Sequence, residues 1–290
     1  MTLKNFEYFA PASVSEAVGY LQQYSGAARV LAGGTDLFLR MRHRALMPDV
    51  IIDIKRIPEL SNLHYSPEHR LYIGAAVTHA GVVAHADVQQ HYGALAEAAS
   101  WVGSRQTRNR GTVVGNLCNA SPAADTAPAL LAYRASVAIA GPNGTREVDL
   151  DAFFQGPGQT VLDAGEMVTG LTLPPRQGHQ GWGFFRRTRT AIDIALVSSC
   201  AVMTSTNGVC DQVSIGLGAV APTPIRASQA ERVLRGQQPT AELVQTAGQM
   251  AAAECSPISD VRCSGDYRKS MVEVLTRRCV QSALSMLHLL

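Results

Sequence analysis

The chain has 290 residues, 46% of them hydrophobic and 17% charged, with a formal net charge of +2. This composition fits a globular protein large enough to bury a sizeable core and to divide into two domains. So small a charge, with no concentrated basic face, argues against a nucleic-acid or membrane-surface partner. No segment approaches the roughly 18 uninterrupted apolar residues of a membrane span, so a soluble, cytoplasmic protein is expected.

In chain order, Ser13 and Glu16 have the spacing of a capping box. Val14, Ala17, Val18 and Leu21 follow at helical intervals, which predicts a short amphipathic helix ending near Tyr24. The run 28–32, "ARVLA", reads as a strand, 36–45 as helix-compatible and 50–54, "VIIDI", as a second strand. Between the first strand and its helix stands "LAGGTDL". Free backbone N–H groups at such a junction favour an anion such as phosphate, but a glycine pair there also makes an ordinary turn, and the local pattern is compatible with both.

Residues 71–78 predict another strand, with Thr78 placed to cap the following helix, and an alanine-rich helix covers 94–102. From 104 to 130 the sequence reads as one long loop rich in small polar residues, broken by Pro122 and Pro128. A structureless stretch of that length inside a compact domain suggests a wrapped ligand. Thr112, Gly115, Asn116, Ser121, Asp125 and Thr126 suit a large ligand bearing phosphates and hydroxyls. Asp125 is equally compatible with a helix cap.

A hairpin through Asn143-Gly144 follows. Residues 174–181, "PPRQGHQG", read as a linker, beyond which strands are expected near 195–204 and 211–219 and helices near 227–235, 240–253 and 266–287. The six cysteines lack C-x-x-C spacing and read as small buried hydrophobes, and the histidines form no metal-binding constellation. Cys118, two residues past Asn116, reads as a packed thiol beside whatever the loop binds.

Neither glycine loop is a Rossmann G-x-G-x-x-G or a Walker P-loop. Two such loops can still converge on one extended cofactor, one at a pyrophosphate and the other along a ribityl chain and ring, which suggests a flavin dinucleotide. "LAGGTDLFLRMRHR", "QTRNRGTVVGNLCNASPAADTAPALLA" and "LGAVAPTPIRASQAERVLRG" resemble, in order and spacing, the FAD-binding subunits of molybdenum hydroxylases, the family of xanthine dehydrogenase and carbon monoxide dehydrogenase. The similarity runs over essentially the whole chain.

The resemblance implies an α+β protein. Its FAD-binding domain, of the PCMH type, spans 1–175 in two α/β subdomains of about 1–57 and 58–175, and a smaller antiparallel sheet-plus-helix domain spans 182–290, with FAD in the cleft between the domains. Carried over by position, the first FAD loop is Ala32, Gly33, Gly34, Thr35 and Asp36, and the second is Thr112, Val113, Val114, Gly115 and Asn116. Val114 stands where the family has the first glycine of G-G-N; if that position needs positive φ or close cofactor approach, a β-branched residue is costly there. Asp125 matches an acidic position near the cofactor. Arg186, in "FFRRTRTAIDIA", matches a cationic position near the flavin, while a solvated or salt-bridged surface arginine fits the local sequence equally well.

The implied role is electron transfer in a heterotrimer, expected to pair as a dimer of heterotrimers. A large molybdopterin subunit oxidises substrate, a small subunit carries two [2Fe–2S] clusters, and FAD on this chain passes electrons to NAD or another acceptor. The form "AGGTD" resembles the xanthine dehydrogenase branch, acting on a purine or other N-heteroaromatic, more than carbon monoxide dehydrogenase, which often has His-Ser at Thr35-Asp36. The cysteine-rich insertion of 4-hydroxybenzoyl-CoA reductase is missing. A flavin-binding assembly or regulatory protein and a stand-alone flavin oxidase are the other readings; the oxidase needs a catalytic base near the flavin, and the sequence nominates none.

Overall fold

The computed structural model describes residues 3–66, 68, 70–176 and 178–289. Strand β1 (Glu7–Phe9), helix α1 (Val14–Gln23), β2 (Ala28–Leu31), α2 (Leu37–Arg42) and β3 (Val50–Asp53) form the first unit, a parallel sheet in the order β1-β3-β2. The central strand β3 is buried along its whole length: Val50, Ile51 and Ile52 are the apolar run of a doubly covered strand, and Asp53 ends it as a buried carboxylate paired with Lys55. Its fully covered Ile51 and Ile52 each stabilise the fold by roughly 1.5–3 kcal/mol. At α1 the Ser13 hydroxyl accepts from the Glu16 N–H, and the Glu16 carboxylate reaches back to the N–H of Ala12. The expected capping box is therefore built, with its return arm one residue earlier than the pattern implies.

The second unit starts with β4 (Leu63–Ser66) and β5 (Arg70–Gly74). Helices α3 (His79–Ala84), α4 (Ala86–His91), α5 (Gly93–Ser100), α6 (Arg105–Arg108), α7 (Val113–Cys118) and α8 (Ala127–Ala132) come next, and Thr78 caps α3 through the N–H of Gly81 as anticipated. Then come β6 (Ser136–Gly141), β7 (Gly144–Asp149), a helical turn α9 (Leu150–Phe153), a small ribbon of β8 (Phe154–Gly156) and β9 (Gln159–Thr160), and β10 (Met167–Leu173). The five-stranded sheet runs β4-β5-β10-β6-β7 and is antiparallel throughout. Gly141 faces Gly144 across the hairpin, so its central residues are Pro142 and Asn143, one position earlier than the sequence suggests.

The long loop expected over 104–130 is a correction. It contains three short helices, two of them started by hydroxyl caps: Ser104 accepts from the Thr107 N–H, and Thr112 from the Gly115 N–H. Pro128 lies in the first turn of α8, where its missing N–H costs nothing, and so helps to start a helix. Helices of four to six residues are too short to show a 3.6-residue period.

The C-terminal unit is an antiparallel sheet, β11 (Gln180–Arg187), β12 (Val197–Thr206), β13 (Val209–Gly218) and β14 (Ile225–Arg226), covered by α10 (Ser228–Leu234), α11 (Ala241–Ala253) and α12 (Gly265–Met286). Strand β11 was not foreseen and takes in the last residues of the segment read as a linker. The two longer strands and the three helices lie within about two residues of expectation, the ordinary disagreement over element ends.

Strand β12 is buried on both faces. Val197, Ala201 and Met203 pack under the C-terminal helices, while Cys200 and Val202 belong to the apolar core of the N-terminal half. The alternation of side chains along a strand thus divides one segment between two cores. No helix among the described residues is long and apolar enough to cross a membrane.

Candidate functional site

The two glycine loops meet. A Cβ placed on Gly33 would lie 2.1 Å from the carbonyl oxygen of Arg110 and 2.7 Å from the Cα of Gly111, so this glycine is required by the backbone of the second loop. Gly34 takes φ +77°, the left-handed region, and a Cβ there would lie 2.8 Å from the Phe38 ring. The first loop is held from below by Lys55, whose ammonium donates to the Ala32 carbonyl at 3.2 Å and to Asp53 at 2.7 Å. The second is tied to α3, where the His79 N–H donates to the Gly111 carbonyl at 3.0 Å.

Together they line a cleft of about 570 Å³, within the range usual for small-molecule and cofactor sites; its wall is drawn entirely from residues 29–168, so it opens between the two N-terminal subdomains and not, as expected, between the FAD-binding and C-terminal domains. Nine predicted residues lie on its wall: Ala32, Gly33, Gly34, Thr35 and Asp36 from the first loop, and Thr112, Val114, Gly115 and Asn116 from the second. The backbone N–H groups of Gly33, Gly34, Thr35 and Asp36 find no acceptor among the described residues. Four neighbouring free donors, with Arg29 and Arg40 on the same wall, suit a phosphate-bearing ligand. Leu37, Ile54, Val102 and Val168 supply apolar surface against which a ring can lie.

Val114 occupies the second position of α7 at an ordinary helical φ and is buried. The feared backbone strain does not arise, because this chain uses no left-handed conformation there. Its side chain forms part of the cleft wall.

Asp125 and Arg186 are not on that wall. They face each other instead, with Nε to Oδ1 at 3.4 Å, both largely buried. The contact is an ion pair without a well-directed hydrogen bond, since both atoms lack a hydrogen-bond partner. Burial pushes the Asp125 carboxyl up to about 7, partly offset by Arg186. Arg186 also donates to the carbonyls of Trp101 and Asp193 and lies 5.7 Å from the Trp101 ring centroid. Asp125 does not cap α8: its cap position is Thr126, whose hydroxyl donates to Asn116 at 3.2 Å and so links the pair's neighbourhood to the cleft.

Three contributors escaped the sequence reading. Lys55 lies in no motif, and Gly111 lies in the second quoted stretch but just ahead of the loop that begins at Thr112. His79, buried and on the cleft wall, had been set aside with the other histidines; only the small-residue turn at Gly111 that packs against it could have drawn attention to it. Burial first, and Arg108 second, lower His79 to about 4, so at neutral pH it is an uncharged imidazole. Burial pushes the Cys118 thiol up to about 12, and it lines the cleft as an unreactive group. All six cysteines are free. The cleft can therefore bind and orient a long polar cofactor.

The fold and cleft define an α+β protein with a site suited to a long, phosphate-bearing cofactor. The family described as "FAD binding domain in molybdopterin dehydrogenase" matches residues 4–176, and "CO dehydrogenase flavoprotein C-terminal domain" matches 184–283. The chain belongs to this family, the FAD-binding subunits of the molybdenum hydroxylases, and is a subunit of a multi-subunit oxidoreductase.

It is 34% identical to the carbon monoxide dehydrogenase medium chain of Hydrogenophaga pseudoflava, over 96% of each chain. The structure of that dehydrogenase lacking the Mo-pyranopterin moiety of its molybdenum cofactor superposes with a TM-score of 0.95, covering 99% of both chains at 35% identity. The nicotinate dehydrogenase FAD-subunit of Eubacterium barkeri is 33% identical, over 99% of this chain and 98% of its own. The xanthine dehydrogenase FAD-binding subunit of Escherichia coli O157:H7 is 29% identical over 96% of each.

Proposed function

We propose that this chain holds FAD as the exit relay of a molybdopterin hydroxylase, between a small subunit bearing [2Fe–2S] clusters and a soluble acceptor such as NAD. Substrate is oxidised on a large molybdopterin subunit. The carrying observation is the meeting of the two loops around a cleft with four unpaired N–H donors at one end and apolar surface nearby. When bound, FAD supplies a redox centre that couples one-electron carriers to a two-electron acceptor.

The chain's own residues bind and orient. The amides of Gly33 to Asp36 would hold the phosphate-bearing part of the cofactor, with Arg29 and Arg40 balancing its charge, and Thr112, Val114, Gly115 and Asn116 would line the rest of it. Asp125 and Arg186 act one layer behind, holding α8, β11 and Trp101 in register. No step on this chain requires a proton transfer from a side chain. In domain terms the reading assigns FAD binding to 1–175 and the supporting sheet and helices to 182–290, in a cytoplasmic dimer of heterotrimers.

For the substrate we favour a purine or other N-heteroaromatic, as the Thr35-Asp36 form and the nicotinate and xanthine relatives support. Carbon monoxide is the second reading, favoured by the 34% identity to a carbon monoxide dehydrogenase medium chain. The complex co-purified with this chain is mixed anaerobically with xanthine, nicotinate, quinoline or carbon monoxide while flavin absorbance is followed. One of these should bleach the flavin, and NAD should restore it. Flavin reduction by substrate in the isolated chain would overturn the relay reading in favour of a self-sufficient oxidase.

A further inference from the structure

A second cavity, of about 120 Å³, lies where the end of α8, the segment after β10 and the middle of β12 and β13 come together. It is too small for a nucleotide and large enough for several waters or one tetrahedral anion. Its polar wall carries Arg134, Arg176, Gln180, Thr204 and Ser214, and no carboxylate among the described residues lines it.

Neither arginine has a carboxylate in ion-pair reach among the described residues. Among the described residues Arg176 has a buried Nε with no acceptor and one hydrogen bond, a long 3.4 Å contact to the Gln90 carbonyl. A buried N–H without an acceptor is destabilising, and a guanidinium more so. Arg134 donates through Nε to the Ser214 hydroxyl at 3.0 Å, leaving the rest of its fork unassigned. The charges near it include Arg226, Arg235, Glu231 and Asp151; Arg226 pairs with both acids and Arg235 with Glu231, so Arg134 has no carboxylate to itself. Arg134 also closes α8 at φ +56°, a left-handed position where glycine or asparagine is usual. The Ser214 and Thr204 hydroxyls each accept one bond and keep a proton to donate.

We propose that this cavity binds a small free oxyanion of the phosphate or sulfate type, gripped by Arg134 and Arg176 and bridging the N-terminal half to the C-terminal sheet. Both guanidiniums present the forked donors such anions match.

The test uses the FAD-replete chain, so that phosphate cannot act in the cofactor cleft. Melting is followed while inorganic phosphate is raised at ionic strength held constant with chloride. The expected result is a saturable rise of about 3 °C or more, absent in Arg176→Met and reduced in Arg134→Gln. Arg134 is exposed, so its variant keeps the test open if Arg176→Met fails to fold. Crystals soaked in selenate should show the anomalous scatterer between the two guanidiniums. A rise no larger than chloride gives, a rise unchanged in both variants, or selenate bound elsewhere would overturn the proposal. So would a phosphate response confined to FAD-free protein, which would place the anion in the cofactor cleft.

Discussion

The two small-residue loops look alike in sequence and differ in physical purpose. In the first, Gly33 and Gly34 are small because protein atoms crowd them: the Arg110 carbonyl lies against one and the Phe38 ring against the other. In the second, Gly115 is a helix residue whose added Cβ would meet only the Thr112 hydroxyl, and Val114 beside it carries a full side chain at helical φ. The first loop leaves its amides free for a ligand, whereas the second spends its hydroxyl and one amide on capping α7. A glycine-rich motif therefore says that something is close, and only the fold says whether that neighbour is ligand or protein.

The sharpest way to break this contrast is Gly33→Ala. The loops must separate, at a cost of about 3 kcal/mol, and if all of it falls on the cleft, FAD affinity drops on the order of a hundredfold. Flavin content of the purified chain and its melting temperature report both effects. Val114→Gly restores the family residue yet should destabilise by about 2–3 kcal/mol, through lost burial and a glycine inside a helix. FAD titration should show affinity unchanged within about threefold; a large gain would mean the valine obstructs the cofactor.

Thr112→Ala removes the α7 cap and should cost about 1 kcal/mol in denaturant unfolding, with amide exchange accelerated at Gly115. The smallest effect belongs to Gly115→Ala, where helix propensity gains what crowding of the Thr112 hydroxyl loses, for a net change within about 0.5 kcal/mol. If Gly115→Ala proved as damaging as Gly33→Ala, the distinction between the loops would fail.

Much of this was legible in the sequence. The Ser13, Thr78 and Asn143-Gly144 signals identified real local structure, and the C-terminal helices stood out because each is long enough to show a period. Strands β10 and β11 were missed, the first because "MVTGLTL" is interrupted by a glycine, the second because "QGWGFFRR" has glycines at alternate positions where a strand normally carries side chains. Residues 104–130 were misread because their helices are defined by caps rather than by apolar repeats. The cleft residues lie on the quoted loops, with Gly111 directly before Thr112, but their partners Lys55 and His79 are joined to them only by folding. The separation of Asp125 and Arg186 from the cleft wall was likewise invisible, since nothing local reveals that they face each other.

The double burial of β12 bears on how the molecule comes apart. Because Cys200 and Val202 complete one core while Ala201 and Met203 complete the other, neither half can lose its order without uncovering apolar surface in its neighbour. Calorimetry should record a single cooperative endotherm. A fragment ending before this strand would begin life with a hole in its interior.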